Sequence, residues 1–175
     1  MASQGAIVEV CSVIKVPKND YLQQPGQTCR TIYFIQKGIA RIFYYKDEVD
    51  VTESFSAENT IIARAESLFA GKPSRKGIHI LENAEIIGIN APALFQLYDE
   101  HPMIERLFRK IFEQAYVQTI QKMESIQFHT AEERYQILVK EQPDLLQRIP
   151  LKYIASYLGI TQVTLSRIRA GKRII

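Results

Sequence analysis

The hydrophobic pattern of this chain changes once, near residue 92, and the change limits the folds that the chain can adopt. Before that point, β-branched and aromatic runs alternate with turn signals, as in TIYFIQKGIARIFYY at 31–45, EVDVTESF at 48–55 and GIHILENAEIIGI at 77–89. From 92 to 128 there is no glycine, and apolar residues recur at steps of three and four. The first pattern is typical of an antiparallel barrel or sandwich and the second of a long helix. We therefore predict an α+β chain that begins with an antiparallel β-roll.

The glycine-free stretch predicts one long helix over 102–127, with Pro102 in its first turn. At 1.5 Å per residue such a helix is about 39 Å long, which is longer than a small domain needs. We expect it to pack against the roll, against a second copy of itself, or against both. Its apolar stripe supplies Phe108, Ile111 and Ala115 as candidate dimer-interface residues.

Two shorter helices separated by a glycine are predicted near the end of the chain. Leu151, Ile154, Ala155 and Leu158 lie at i, i+3, i+4 and i+7, which gives one buried face, and Gly159 is the residue type that ends a helix. Thr161 can cap a second helix, in which Leu165 and Ile168 point inward. This spacing is that of a helix-turn-helix, with a small alanine where the two helices cross.

The second helix carries an outward set of hydrogen-bond donors, none of them acidic: Gln162, Thr164, Ser166, Arg167 and Arg169. After Asp144 the chain contains no acidic residue, so residues 145–175 carry +6 while residues 1–144 carry −3. An ordinary helical hairpin in a core would explain the apolar positions, but it would not explain this charge. A basic helix-turn-helix favours a polyanion partner, namely double-stranded DNA.

The predicted contacts with DNA divide into two groups. Gln162, Val163 and Arg167 would face the major groove, since glutamine pairs with adenine, arginine with guanine, and valine can touch a thymine methyl. The residues assigned to phosphates, which position a protein without reading sequence, are Thr161, Ser166, Arg169, Lys172 and Arg173.

Other function classes receive no support from the sequence. Two cysteines are too few for a disulfide framework, a structural zinc site or an iron–sulfur cluster, and the three histidines show no metal-ligand spacing. There is no nucleophile–base motif or phosphate-binding glycine loop, so we expect neither an enzyme nor a resident cofactor or metal. No signal peptide or membrane span is evident, and we expect a cytoplasmic protein.

A β-rich half, a long helix and a C-terminal helix-turn-helix together resemble the Crp/Fnr superfamily of bacterial transcription regulators. The segments PGQTCRTIYFIQKGIARIFY at 25–44 and ERYQILVKEQPDLLQRIPLKYIASYLGITQVTLSRIR at 133–169 carry the resemblance. It implies three parts: a cyclic-nucleotide-binding-like β-roll sensor domain at 1–98, a long dimerisation helix at 99–128 and a DNA-binding domain at 129–175. It also implies a homodimer on a palindromic site, with RNA polymerase as a further partner.

The ligand cassette of the cyclic-nucleotide-binding members, Phe-Gly-Glu-x-Ala followed by Pro-Arg-Ser/Thr-Ala, is only partly present. The matching segment, RAESLFAGKPSRKG at 64–77, keeps Glu66 and Pro73, but Ser74 stands where the arginine belongs and Arg75 fits only after a one-residue slip. Glu66, Ser74 and Arg75 are therefore candidate ligand residues for a cyclic nucleotide or another small effector. The alternative is a degenerate loop that closes the barrel.

Three functions remain open at this point. The sequence favours a homodimeric DNA-binding regulator that a small ligand modulates through the roll. The first alternative is a DNA-binding regulator that works without a ligand. The second is a regulatory subunit whose terminal helices bind a protein.

Overall fold

The computed structural model describes the backbone of residues 2–171 and the side chains of residues 5–171. Its first half contains the strands β1 (Cys11–Val16), β2 (Tyr21–Gln23), β3 (Thr31–Lys37), β4 (Ala40–Lys46), β5 (Val49–Ser56), β6 (Thr60–Ile62), β7 (Gly77–Ile80) and β8 (Ala84–Asn90). The helices are α1 (Ala2–Glu9), α2 (Ala65–Ala70), α3 (Ala91–Glu100), α4 (Pro102–Phe128), α5 (Ala131–Glu141), α6 (Pro143–Arg148), α7 (Leu151–Leu158) and α8 (Gln162–Arg169).

The strands form two antiparallel four-stranded sheets, in the orders β1-β8-β3-β6 and β2-β7-β4-β5. Their inner faces meet in a core of aliphatic side chains that includes Ile35, Ile42, Ile78 and Ile86. Because side chains alternate along a strand, Ile32 points to the opposite face from Ile35 and packs instead among residues of α1, α3 and α4. The predicted α+β fold with an antiparallel β-roll is confirmed.

Two tight turns fix the register of the central strands. Gly38 joins β3 to β4 with φ = 106°, and a Cβ at this position would lie 2.8 Å from the Cβ of Ala84, so both the conformation and the space require glycine. Asp47 and Glu48 join β4 to β5 with φ of 50° and 64°. Positive φ at both central residues matches the right-handed twist of a hairpin.

The long helix α4 begins at Pro102, as predicted, and ends at Phe128. The following helix α5 begins with the capping box of Thr130 and Glu133, in which the threonine hydroxyl accepts from the Glu133 amide and the glutamate carboxylate accepts from the Thr130 amide. The predicted start of the long-helix segment at residue 99 falls inside α3, since α3 continues to Glu100.

The helix-turn-helix lies directly against the β-roll. Ile39, just before β4, and Leu81, just after β7, share one hydrophobic cluster with Ile154, Leu158 and Leu165 of the C-terminal helices. The roll and the C-terminal helices are therefore one packed unit within the protomer.

Candidate nucleic-acid interface

The turn between α7 and α8 has the geometry that the sequence predicts. Gly159 takes up the left-handed conformation, with φ = 71°, and the Ile160 amide donates to the carbonyl of Ala155 at 3.0 Å. Thr161 then caps α8, since its hydroxyl accepts from the Thr164 amide at 3.1 Å. These bonds satisfy backbone groups that the two helix ends leave unpaired, so the angle between the helices is fixed locally.

One face of α8 is anchored in the protein. Leu165 is fully buried and Ile168 is 4% exposed, and Leu165 packs in the cluster formed with α6, α7 and the roll. Arg134 of α5 donates to the carbonyl of Leu158 at 2.8 Å and thus places a cation at the C-terminal end of α7. Both helices are therefore fixed on the side that faces the rest of the protein.

The opposite face of α8 is open to solvent. Gln162, Val163 and Arg167, the predicted base-reading residues, are all exposed, and the Val163 side chain is 64% exposed. Val163 and Arg167 lie at i and i+4 and Gln162 directly precedes them, which places the three side chains within about 140° of the helix circumference. An exposed apolar valine between polar donors is suited to contact the edges of bases.

The predicted phosphate contacts lie around this face. Thr161, Ser166 and Arg169 are exposed at the rim of α8. Lys172 and Arg173, assigned to the same role, lie outside the described residues.

The candidate ligand residues lie in the segment between β6 and β7, and two of them are in contact. The Ser74 hydroxyl donates to Glu66 Oε1 at 2.7 Å, while Arg75 is exposed to solvent. Sequence reasoning missed Arg64, whose side chain is only 7% exposed and donates to both carboxylate oxygens of Glu66. Its place in the sequence is the signal that could have identified it, because Arg64 replaces the phenylalanine that opens the cyclic-nucleotide cassette.

Partial burial raises the pKa of Glu66, but the hydrogen bond from Ser74 and the charge of Arg64 outweigh burial and lower this pKa overall. The carboxylate is thus held ionised by groups of its own loop. Nearby, the buried Ser67 hydroxyl accepts from the Cys29 amide at 2.8 Å and donates to the carbonyl of Lys72. Glu66, Ser67 and Ser74 are therefore all hydrogen-bonded to neighbouring groups of the protein.

The predicted dimer-interface residues differ in exposure. Phe108 is 2% exposed and packs within the protomer beside Tyr98 and Phe112, whereas Ile111 is half-buried and Ala115 is exposed. Their assignment to a contact between two chains stays a prediction.

Two further observations concern the described part of the chain. Between residues 2 and 171, no group of three histidine, cysteine, aspartate or glutamate side chains is arranged to hold a metal ion. Over the same range, every helix is too short or too polar to cross a membrane.

Comparison with known proteins shows a likeness in structure without one in sequence. No family model and no curated protein matches the chain. FixK2 from Bradyrhizobium japonicum matches with a TM-score of 0.79 at 15% identity, over 93% of this chain and 84% of that one. The c-di-GMP-responsive global regulator CLP from Xanthomonas campestris matches with a TM-score of 0.75 at 14% identity, over 97% of this chain and 90% of that one.

A third solved structure is a protein from Eubacterium rectale that is assigned to the Crp/Fnr family of transcriptional regulators. It matches with a TM-score of 0.75 at 14% identity, over 98% of this chain and 82% of that one. The likeness thus includes the β-roll, the long helix and the C-terminal helices together. Over nearly its whole length, this chain has the fold of the Crp/Fnr regulators.

Proposed function

We propose that this chain is a sequence-specific DNA-binding transcription regulator that acts as a homodimer. The observation that carries the proposal is the orientation of α8: Leu165 and Ile168 anchor one face, while Gln162, Val163 and Arg167 are exposed on the other. An α-helix held in this way fits the major groove of B-DNA, where base edges present a distinct pattern of donors and acceptors.

The division of labour on this surface follows from side-chain chemistry. Gln162 and Arg167 can make bidentate hydrogen bonds to adenine and guanine, and Val163 can contact a thymine methyl group. Thr161, Ser166 and Arg169 hold phosphates, and the two basic residues beyond the described range, Lys172 and Arg173, follow the same backbone. The lack of acidic residues after Asp144 leaves this end without repulsion towards a polyanion.

A homodimer through α4 would present two such surfaces to DNA. The second half of α4 exposes Tyr116, Val117, Ile120 and Met123, which lie at i, i+1, i+4 and i+7 and therefore share a face. Pairing of this face with its copy removes apolar surface from water. The two-fold axis then requires a palindromic site with half-sites about 34 Å apart.

The proposal also covers how the bound dimer would regulate transcription. A dimer bound near a promoter would act on RNA polymerase, and a chromosomal target implies a cytoplasmic protein. The sequence leaves two forms of such a regulator open: one would bind a small molecule at the segment that contains Glu66, Ser74 and Arg75, and the other binds DNA without an effector.

Selection of bound sequences from a pool of random DNA tests the proposal. We expect enrichment of a two-fold symmetric motif whose half-site centres are about 10 bp apart, and the affinity for this motif should fall steeply with salt because the basic residues displace condensed counterions. A parallel selection with added cell extract reports whether an effector is needed. Enrichment of no motif, together with binding that salt does not affect, would refute the proposal and favour a subunit whose terminal helices dock a protein.

A further inference from the structure

Strand β5 contacts three parts of the molecule: segment 64–76, which contains the candidate ligand residues, the long helix α4, and helix α7 of the helix-turn-helix. Glu53 of β5 pairs its carboxylate with Arg64, at 3.8 Å, and with Lys76, while its backbone carbonyl accepts a hydrogen bond from the ammonium of Lys122. Arg64 also pairs with Glu66 at 2.8 Å. We name these five residues the Glu53 cluster: Glu53, Arg64, Glu66, Lys76 and Lys122.

The charges of the Glu53 cluster nearly balance one another. Two cations of segment 64–76, Arg64 and Lys76, and one of α4, Lys122, meet two carboxylates, which leaves one net positive charge. The Arg64 side chain is 7% exposed, so its charge depends on these carboxylates for compensation. The ammonium of Lys122 is partly buried beside the Glu53 carbonyl, and this burial lowers its pKa, although the charge of Glu53 opposes the effect.

The same stretch of β5 is bonded to the first helix of the helix-turn-helix. The Thr52 amide donates to the Ser156 hydroxyl at 2.9 Å, and that hydroxyl donates to the carbonyl of Asp50 at 3.1 Å. Ser156 lies on α7, so the backbone on one side of Glu53 is attached to the helix that supports α8.

Lys122 makes a second connection between the halves. Its ammonium lies 5.4 Å from the ring centroid of Tyr157 on α7, while the Tyr157 ring packs against Phe55 of β5 at 5.4 Å. One side chain of the long helix thus contacts both the roll, through Glu53, and the DNA-binding half, through Tyr157.

We propose that the Glu53 cluster is an internal lock, which holds segment 64–76, strand β5 and helix α4 in one arrangement and thereby fixes α7 and α8 on the β-roll without a bound small molecule. An anionic effector entering this region would have to compete with Glu53 and Glu66 for cations that these carboxylates already hold. DNA binding is therefore independent of an effector. The inference rests on the proposed function, because the helices that the lock fixes are the ones assigned to DNA.

Backbone amide exchange in the purified full chain tests the lock without DNA. Lys122→Met removes the ammonium but keeps a long side chain, and we expect exchange of amides in α7 and β5 to become about tenfold faster. Lys110→Met is the matched control, because Lys110 is an exposed lysine of the same helix and should leave exchange unchanged. Unchanged exchange in Lys122→Met would overturn the lock.

A second, milder variant keeps the lock testable if Lys122→Met does not fold. If Lys122→Met loses its helical circular dichroism, Glu53→Gln is compared instead, since it removes one charge while it keeps the size and hydrogen-bonding capacity of the side chain. Faster exchange in α7 of Glu53→Gln supports the lock, and exchange equal to that of the wild type overturns it.

The second part of the test adds cyclic AMP or cyclic di-GMP to the wild-type protein. We expect the exchange of segment 64–76 and the affinity for the selected DNA to stay the same. Protection of this segment together with tighter DNA binding would overturn the lock and leave the proposed function intact. If all variants show the expected exchange but the wild-type protein enriches no DNA motif, the lock is supported and the proposed function is refuted.

Discussion

Arg41 shows how this fold accommodates a charge at the junction of its two halves. The residue is 1% exposed, and its guanidinium pairs with both oxygens of Asp50 and donates to the hydroxyl of Thr52. It also donates to Nδ1 of His79 at 3.0 Å, while the ring of Tyr153 on α7 covers it at 3.8 Å. The guanidinium thus makes four hydrogen bonds and lies against an aromatic face, and these contacts compensate its buried charge.

His79 takes part in this network as a neutral side chain. Burial lowers the pKa of His79, and the charge of Arg41 lowers it further. The imidazole therefore keeps an unprotonated nitrogen that accepts the Arg41 hydrogen bond near neutral pH. A sheet residue and an α7 residue are in this way both in contact with one guanidinium.

At the same scale, Arg167→Ala tests direct reading of a base. We expect it to lose about 1–3 kcal/mol of affinity for the selected site and to relax the preference at one base pair, because a bidentate contact to guanine disappears. Competition binding against a set of single-base variants of the site measures both effects.

Lys172→Ala is the comparison for this prediction. A lost phosphate contact should weaken the binding of selected and random DNA alike and make the salt dependence shallower. Equal losses by the two variants on both kinds of DNA would contradict the division between base and phosphate contacts.

At the scale of elements, the turn after α7 depends on a single backbone conformation. Gly159 has φ = 71°, and a Cβ added there would meet nothing within 4 Å, so space alone would allow any residue. A residue with a Cβ is nevertheless strained at this φ. The position of α8 relative to α7 therefore depends on the backbone freedom of one glycine.

Gly159→Ala should accordingly lower the free energy of unfolding by about 1–2 kcal/mol. Gly5→Ala is the matched control: Gly5 also has open space around it, but it lies within helix α1 and lacks a positive φ. There alanine should be neutral or stabilising by up to about 1 kcal/mol. Urea denaturation followed by circular dichroism measures both variants, and equal effects would show that the conformation at 159 carries no cost.

At the scale of the whole molecule, Arg148 attaches the C-terminal half to two separate turns of the roll. It pairs with Glu58 at 2.6 Å, in the turn between β5 and β6, and with Glu82 in the turn between β7 and β8. The hydrogen bond from Arg148 is the largest cause that lowers the pKa of Glu58 from its ordinary 4.5 to about 2. The Gly38 amide also donates to this carboxylate at 2.9 Å.

The stability that this arrangement contributes depends on pH. Because the pKa of Glu58 is lower in the folded protein, the contribution is complete above about pH 4.5 and is lost as the pH falls towards 2. Arg148→Met should reduce the free energy of unfolding by about 1 kcal/mol at pH 7, a modest value because both partners are partly solvated. Denaturation curves between pH 7 and pH 3 should show this difference shrinking, and a constant difference would argue against the ion pairs.

The sequence by itself determined the elements whose signals are local. Helices α4, α5, α7 and α8 and strands β3, β4, β5, β7 and β8 follow from hydrophobic period, capping residues and glycine turns within a few residues of one another. The exposed face of α8 follows as well, because burial of Leu165 and Ile168 leaves Gln162, Val163 and Arg167 on the other side. In a helix, buried residues at i and i+3 determine which face points inward and which face is exposed.

The tertiary structure decided what depends on distant partners. Helix α2 is six residues long and has no side-chain cap at its start, so Gly71 at its end is a weak local signal, and the helix is supported by the bonds of Ser67 to Cys29 and Lys72. The Glu53 cluster also depends on distant partners, because Lys122 donates a hydrogen bond to a strand residue 69 positions earlier in the chain. A sequence pattern records the spacing along a chain, whereas compensation of a buried charge depends on which side chains the fold brings together.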